Sequence, residues 1–590
     1  MASAVKADAL GVNCTRFVAV WLLAGLAFGC SASANDSGKN TGNGASSSGG
    51  NGSHTGATSS TGGPDLSLGG TPPIDMGGGD DNNPTTCDQA AKSQTYIGCD
   101  FWPTVTYNPV YHEFGFAVVV ANGGGVEADV TVERKGAMVT TAKVPPGGLA
   151  TIMLPWVMEL KGEEFTRTDA TTGARKKESQ LVAGGAYHMT STVPVTAWQF
   201  SPLDYQQPAA SCPGLPAGTV TCLSVSNDAS LLLPSTAMTG NYRLAGRSAR
   251  LEGGGIDYTS SQGGFAITAT KNDTKVDIQL SADRKTEPGA GAKIGPAVLA
   301  AGAGVTAAMP GQTVSYTLQA GDVLQLVGQW AAFEPEPHGD LSGSLLNASA
   351  PVQVIAFNPL LSGVPTATDG NPDHIEETVL PAEVIGKSYV VAAPTGPDKR
   401  VPGHMVRFFG NFDGTTLTYP AGMPAGAPTT LKAGEVVEIG PLTEPFVVDG
   451  GEKSFSVVSI MLGGTKQDPD MGLKRGDPSI TTQVTPEQFR KQYTFLAPTT
   501  YLQNYADIVI PTGATVTLDG QPLTGTPEPI GTSKWSLVRE PLGAGQNGAH
   551  RLEANDKVGL QVLGFGSATS YSYPGGLDLK PISDAPTIVK

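Results

Sequence analysis

The sequence predicts an all-β protein, built as tandem antiparallel β-sandwich-like units behind a disordered N-terminal tether. Three observations carry that reading. The first is composition: the 590 residues include 77 glycines and 45 prolines, and only 15% are charged. Val, Thr, Leu and Ala dominate between the Gly and Pro positions, as in short strands joined by tight turns. The second is apolar alternation with period two. The third is the weak recurrence of similar segments along the chain, the mark of a repeated architecture.

The alternation occurs at 126–132, 275–280, 415–419 and 514–518. Apolar residues at every second position give a strand with one packed face and one wet face. Asp519-Gly520 directly after the last of these is a hairpin turn signal. Small-residue turns leading into a further strand recur at 146–149, 318–323 and 431–436. A closing strand recurs as well. Residues 194–203 and 351–360 share Pro, Val, Phe, Pro and Leu at matching places, and 455–460 and 558–562 are looser versions. The junctions echo one another too: Leu233-Pro234 precedes Tyr242, Leu380-Pro381 precedes Tyr389, and Pro486 precedes Tyr493. These echoes divide the folded part into units at 87–225, 226–372, 373–476 and 477–590. Units of that size with many short strands read as sandwiches, since propeller blades are nearer 40 to 50 residues. No long helix is expected, and 486–493 forms one helical turn or two.

The N-terminus predicts export. Lys6 and Arg16 precede an uncharged run from Phe17 to Gly29. About 13 apolar residues are too few to span a bilayer, which needs roughly 20, but they suit the apolar core of a secretory signal. Leu26-Ala27-Phe28-Gly29-Cys30 resembles a lipobox, with Ala27 where Leu is usual. Residues 1–30 are therefore expected to be a lipoprotein signal peptide, with Cys30 the lipid-attachment site and mature N-terminus. The expected location is the cell envelope, at the outer membrane or cell surface. Residues 31–86 are almost wholly Gly, Ser, Asn, Thr, Asp and Pro. Such a segment cannot bury enough apolar surface to offset its ordering entropy, and is expected to be a tether reaching about 40 Å. In an exported chain, the even set Cys87, Cys99, Cys212 and Cys222 reads as disulfides. Spacing favours Cys87–Cys99 and Cys212–Cys222, although four cysteines allow three pairings.

The formal net charge is −16, with no basic stripe, which argues against nucleic acid as a partner. The seven histidines (His54, His112, His188, His338, His374, His404 and His550) form no HExxH motif. No GxSxG elbow occurs in a strand–turn–helix setting. The expectation is a non-enzyme without cofactor or metal. Asp369, Asn371 and Asp373 place oxygen ligands at alternate positions, as in a calcium loop, but His374 stands where that pattern needs Gly and Leu380 where it needs Glu. This segment and Asp468-Pro-Asp470 are read as solvated loops. Trp198 and Phe200 share a strand face and correspond to Ile355 and Phe357, so they are read as core rather than as a sugar-stacking platform.

Asp228-Ala-Ser-Leu-Leu-Leu-Pro234, Tyr242, Phe265-Ala-Ile267, Leu324-Gln-Leu326, Asp340-Leu-Ser-Gly-Ser344 and Ala350-Pro-Val352 follow one another in a familiar order. The pattern resembles the N-terminal domain of IgG Fc-binding proteins. The resemblance is clear over 226–360 and extends in weaker form to 577. It ends in Tyr493-Thr-Phe-Leu-Ala-Pro498, Asn504-Tyr505 and Tyr571-Ser-Tyr-Pro-Gly-Gly-Leu577, which also resemble elements of large myxobacterial surface proteins. It implies adhesion or protein binding without naming a ligand. The expected role is a surface-displayed lipoprotein with a non-catalytic adhesion or protein-binding function, toward an unknown protein or glycan. The alternatives are a carbohydrate-binding lipoprotein, marked by exposed aromatics, and a cryptic hydrolase, marked by a deep polar pocket holding His beside Asp or Ser.

Overall fold

The computed structural model describes residues 83–164, 178–212, 215, 218–247, 262–282, 297–329, 339–361, 373–470, 474–542 and 548–588. Cys30 and residues 31–82 of the expected tether lie outside the described residues.

The chain is nearly all β, and one sandwich topology occurs four times. In the first sandwich the long closing strand His188–Phe200 serves two sheets. Its first half pairs with Gly98–Phe101 and Ala128–Arg134, and Ala137–Val144 extends that sheet. Its second half pairs with Phe116–Ala121 and Ala229–Leu231, and Leu149–Leu154 extends that one. The fourth sandwich repeats the plan around Ala549–Gly566, with Arg490–Leu496 and Val516–Leu518 on one half and Gln503–Pro511 and Thr569–Pro574 on the other. In the second sandwich the closing strand is split into Leu345–Ala348 and Val352–Leu361. Pro351, which has no N–H to donate, sits at the break. In the third it is split into Phe446–Asp449 and Phe455–Met461, with Gly450 and Gly451 between. The period-two reading matches the burial of Ala128–Arg134, whose apolar side chains point inward and whose Asp129 is exposed. Asp519 and Gly520 both take positive φ, at 51° and 74°, and turn Val516–Leu518 back onto Gln521–Pro522.

After each closing strand comes one further strand: β1 (Ala229–Leu231), β2 (Asp373–Thr378), β3 (Ile480–Thr482) and β4 (Thr569–Pro574). Each pairs antiparallel with the closing strand before it. By strand pairing, the first three sandwiches therefore run one strand beyond the junctions at 225/226, 372/373 and 476/477. The four strands pack on one another in cyclic order, β1 on β2, β2 on β3, β3 on β4, and β4 on β1. The sandwiches thus form a closed ring with these strands at its hub. The last seam is completed where Leu579 N donates to Gln94 O at 2.7 Å and Tyr96 N to Leu577 O at 3.2 Å. The seam between the first two sandwiches shares a sheet, because Ser179–Val182 of the first pairs with Val323–Val327 of the second.

The recurring junction tyrosines explain the sequence echo. Each follows a single 3-10 turn, at Ser235–Ala237, Ala382–Val384 and Pro486–Gln488. The Tyr242 hydroxyl donates to Val352 O at 2.6 Å, Tyr389 to Phe455 O at 2.7 Å, and Tyr493 to Val558 O. A buried phenol needs a partner for its O–H. Here that partner is always the closing strand of its own sandwich, so each Tyr pins the entering chain to the strand that ends the unit.

Both favoured disulfides are present, Cys87–Cys99 and Cys212–Cys222, with Cα separations of 5.7 and 6.0 Å. The last residues of the expected tether, 83–86, are docked on the fold. Thr86 and Gln89 form a reciprocal capping box on the helix Cys87–Ser93, and Asn83 accepts from Arg490 at 2.8 Å.

Candidate functional site

The hub is polar although it is buried, and one carboxylate ties its four strands together. Asp228, directly before β1, is fully buried. Its Oδ1 accepts from Ala229 N at 2.9 Å, Ser479 Oγ at 2.9 Å and Ser572 N at 3.4 Å. Its Oδ2 accepts from Glu376 N at 3.1 Å and Ile480 N at 3.3 Å. These donors lie on or beside β1, β2, β3 and β4. Short strands meeting at a point leave main-chain N–H groups that water cannot reach, and a carboxylate satisfies several of them at once.

Other carboxylates gather around it. Asp373 accepts from His374 N at 2.8 Å and Thr569 Oγ1 at 3.2 Å. The expected solvated loop at 369–373 is corrected here: Asp373 is fully buried, because β2 begins there and carries it into the hub. Asp369 and Asn371 lie outside the described residues. Burial, followed by the charges of Asp477 and Asp228, pushes the Asp373 carboxyl well above the usual carboxylate range. Burial, followed by Asp228 and Glu376, does the same to Glu377, whose Oε2 has no hydrogen-bond partner. Burial also raises Asp228, opposed by its hydrogen bonds from Ala229, Glu376 and Ser479. Like charges in a dry site cannot all ionise, so protons stay bound there above the usual carboxylate pKa.

On the side facing the first sandwich, Glu376 Oε2 accepts from Thr106 Oγ1 at 2.9 Å and Oε1 from Gln199 Nε2 at 3.0 Å. His374 Nε2 lies 3.4 Å from both Thr106 Oγ1 and Glu376 Oε2. This hydroxyl–imidazole–carboxylate group has the residue types of a hydrolase, but Thr106, His374 and Glu376 are all at 0% exposure, so no substrate can approach. His188 with Asp100 and His550 with Asp519 are pairs at 2.8 Å. The other ring faces are stacked, His188 on Trp102 and His550 on Phe495. Among the described residues no group of three or more His, Cys, Asp or Glu side chains is placed to hold a metal.

Asp468 is a second correction. It is buried, not solvated, and it receives Arg475 Nε at 2.7 Å and Arg400 Nη2 at 3.0 Å. Only its neighbour Asp470 keeps the exposure expected of both. Trp198 and Phe200 are core, as read, both at 0% exposure. They face β4 of the fourth sandwich: Trp198 lies 6.0 Å from Tyr573 and Phe200 6.1 Å from Tyr571, centroid to centroid. The large exposed apolar side chains of the described residues are Val, Met and Leu, with Met138 at 69% and Val220 at 83%, so no aromatic row faces solvent.

Open space lies where the second and third sandwiches meet beside the C-terminal segment. A cleft of about 470 Å³ there is lined by Arg243, Gln279, Ser281, Asn411, Asp413 and Thr587, among others. Deeper in the same seam, Arg407 Nη1 meets Asp340 Oδ2 at 2.7 Å, Arg407 Nε meets Glu438 Oε2 at 2.5 Å, and Arg247 meets Glu438 Oε1 at 2.9 Å. Asp228, at the hub, was noted in the sequence only as the first residue of the resemblance pattern. The period-two strand that follows it is too short to reveal its role.

No curated protein matches the chain. The family model described as IgGFc binding protein matches residues 228–564, from the hub aspartate to the closing strand of the fourth sandwich. That span is more than half of the 590 residues, and the chain belongs to the IgGFc binding protein family.

Proposed function

We propose that this chain is an exported, lipid-anchored surface protein whose ring of sandwiches binds a protein partner without catalysing a reaction. The observation that carries this reading is the family match over 228–564, which points to a protein-binding role. The ring supports it physically. Four packed sandwiches are fixed by one hub, and a preorganised framework loses little ordering entropy on binding. Export is supported by the apolar run before Cys30 and by two disulfides, which persist in oxidising compartments. The buried positions of Trp198 and Phe200 remove the feature that would favour stacking on sugars.

Two measurements test the reading. Replacing Cys30→Ala should move the protein from the membrane fraction to the soluble exported fraction; unchanged membrane association would reject the anchor. The released full-length chain, immobilised and exposed to labelled surface proteins and to a glycan array, should retain a protein. Retention of glycans alone would replace protein binding with the carbohydrate reading.

A further inference from the structure

Among the described residues, buried guanidinium groups follow a rule with one exception. Arg247, Arg407, Arg475, Arg490 and Arg539 each lie within ion-pair distance of a carboxylate. Arg243 does not. It ends the strand Asn241–Arg243 and is 5% exposed. Its Nη1 donates to Gly343 O at 2.9 Å and its Nη2 to Asn411 O at 3.0 Å, both neutral carbonyls, while Nε has no partner. Burial lowers its pKa to about 10, which leaves it charged at neutral pH. The acidic group whose charge it feels is Asp413, exposed on the rim, whose Oδ1 already accepts from Ala433 N at 2.9 Å. A buried cation without a nearby anion is costly, and a guanidinium keeps one free N–H on each Nη after a single bond.

This side chain lines the 470 Å³ cleft between the second and third sandwiches. Two further lining groups, the half-buried Gln279 amide and the exposed Thr587 hydroxyl, make no hydrogen bond with the described residues. The site therefore combines a buried cation that has no carboxylate in ion-pair contact, spare donors and open volume. We propose that the cleft at Arg243 receives a single carboxylate group of the bound protein, with Gln279 and Thr587 as flanking donors. This rests on the protein-binding reading above and names the chemistry recognised at one point of it. Asp413 sets the selectivity, because its charge at the rim opposes a densely anionic ligand while tolerating one carboxylate.

The carboxylate is either a chain terminus or an acidic side chain, and short labelled peptides separate the two. Fluorescence anisotropy with the full-length chain would compare an acetylated alanine peptide ending in a free acid, the same peptide with one internal Glu and an amidated end, and an uncharged amidated control. One of the two acids should bind about tenfold or more tighter than the control, the size expected for a charge-assisted hydrogen bond. Arg243→Gln should abolish that preference. Because Arg243 is buried and its replacement could disturb folding, Asp413→Asn provides a second arm at the exposed rim. It should tighten the acid peptide roughly threefold at low salt and less at high salt. Equal binding of acids and control, absence of binding by all three, or indifference to Asp413→Asn would overturn the proposal. Partner capture that persists while the acid peptides fail would reject the cleft alone. Failure of the wild-type chain to capture any protein would reject the broader reading.

Discussion

Where the ring closes, between the first and fourth sandwiches, the seam is aromatic. Trp198 and Phe200 meet Tyr573 and Tyr571, and Tyr205 and Tyr501 extend the cluster at 5.2 Å. Between the second and third, the seam is ionic, with Arg407 held between Asp340 and Glu438 and Arg247 on the far side of Glu438. The two surfaces do the same mechanical work by opposite means. An aromatic seam gains from every square ångström removed from water and tolerates small shifts. An ionic seam gains little over a well-packed apolar one, but it fixes register and fails badly when one partner is lost. Neighbouring sandwiches built on one topology thus mate through chemistry specific to each seam, which keeps a repeated fold from docking in the wrong order.

Arg407→Ala should expose this asymmetry most strongly. It takes the guanidinium from Asp340 and leaves Glu438 with Arg247 as its ion-pair partner, and urea unfolding should show a loss on the order of 3–5 kcal/mol. A loss below about 1 kcal/mol would show that the carboxylates find other partners. Trp198→Ala should cost about 3 kcal/mol by leaving a cavity in the aromatic seam, and its effect should not vary with salt. Removing the Cys212–Cys222 bridge, which lies in neither seam, should cost about 2–3 kcal/mol, read as a lower melting temperature under oxidising conditions only. Tyr242→Phe removes one hydrogen bond within a single sandwich and should cost about 1 kcal/mol, leaving both seams intact.

The hub adds a pH dependence of its own. Glu377 and Asp373 have folded-state pKa values raised above their unfolded values. The stability they contribute is therefore complete below about pH 4, the unfolded value, and is lost as pH rises through the folded values. Melting temperature should accordingly fall from mild acid toward neutrality. Glu377→Gln, which cannot ionise, should flatten part of that slope; an unchanged slope would place the titration elsewhere.

Strands such as Ala128–Arg134 and Thr274–Gln279 were legible in the sequence because they bury one face, and period two records that directly, whereas Phe116–Ala121 and Phe455–Met461 are buried on both faces and show no alternation. The junction tyrosines were visible as a repeat, though not as the hydroxyl bonds that give them their purpose. The hub was not legible. Ala229–Leu231 and Ile480–Thr482 are too short to show alternation; Asp228 was marked only as the first residue of the resemblance pattern, Asp373 was read as a loop acid, and Asp477 carried no mark at all. For the same reason Asp373 and Asp468 were expected in solvent. Asp373 is held by the distant Thr569 hydroxyl and Asp468 by the guanidinium groups of Arg475 and Arg400, and such partners leave no local mark. Arg243 was equally silent, because its distinction is the absence of a carboxylate across a seam.

The docking of residues 83–86 and the first disulfide has a consequence for load. A pull along the chain before Asn83 would reach the helix Cys87–Ser93 and then the covalent loop closed by Cys87–Cys99. That loop is already anchored by Gly98–Phe101 in the first sandwich and by the pairing of Gln94 and Tyr96 with the C-terminal segment. Force entering there is carried past the helix by the covalent bridge and shared with the strand and C-terminal pairings behind it. With the bridge reduced, the helix can peel away first, and in single-molecule stretching the same molecule should yield at a markedly lower force.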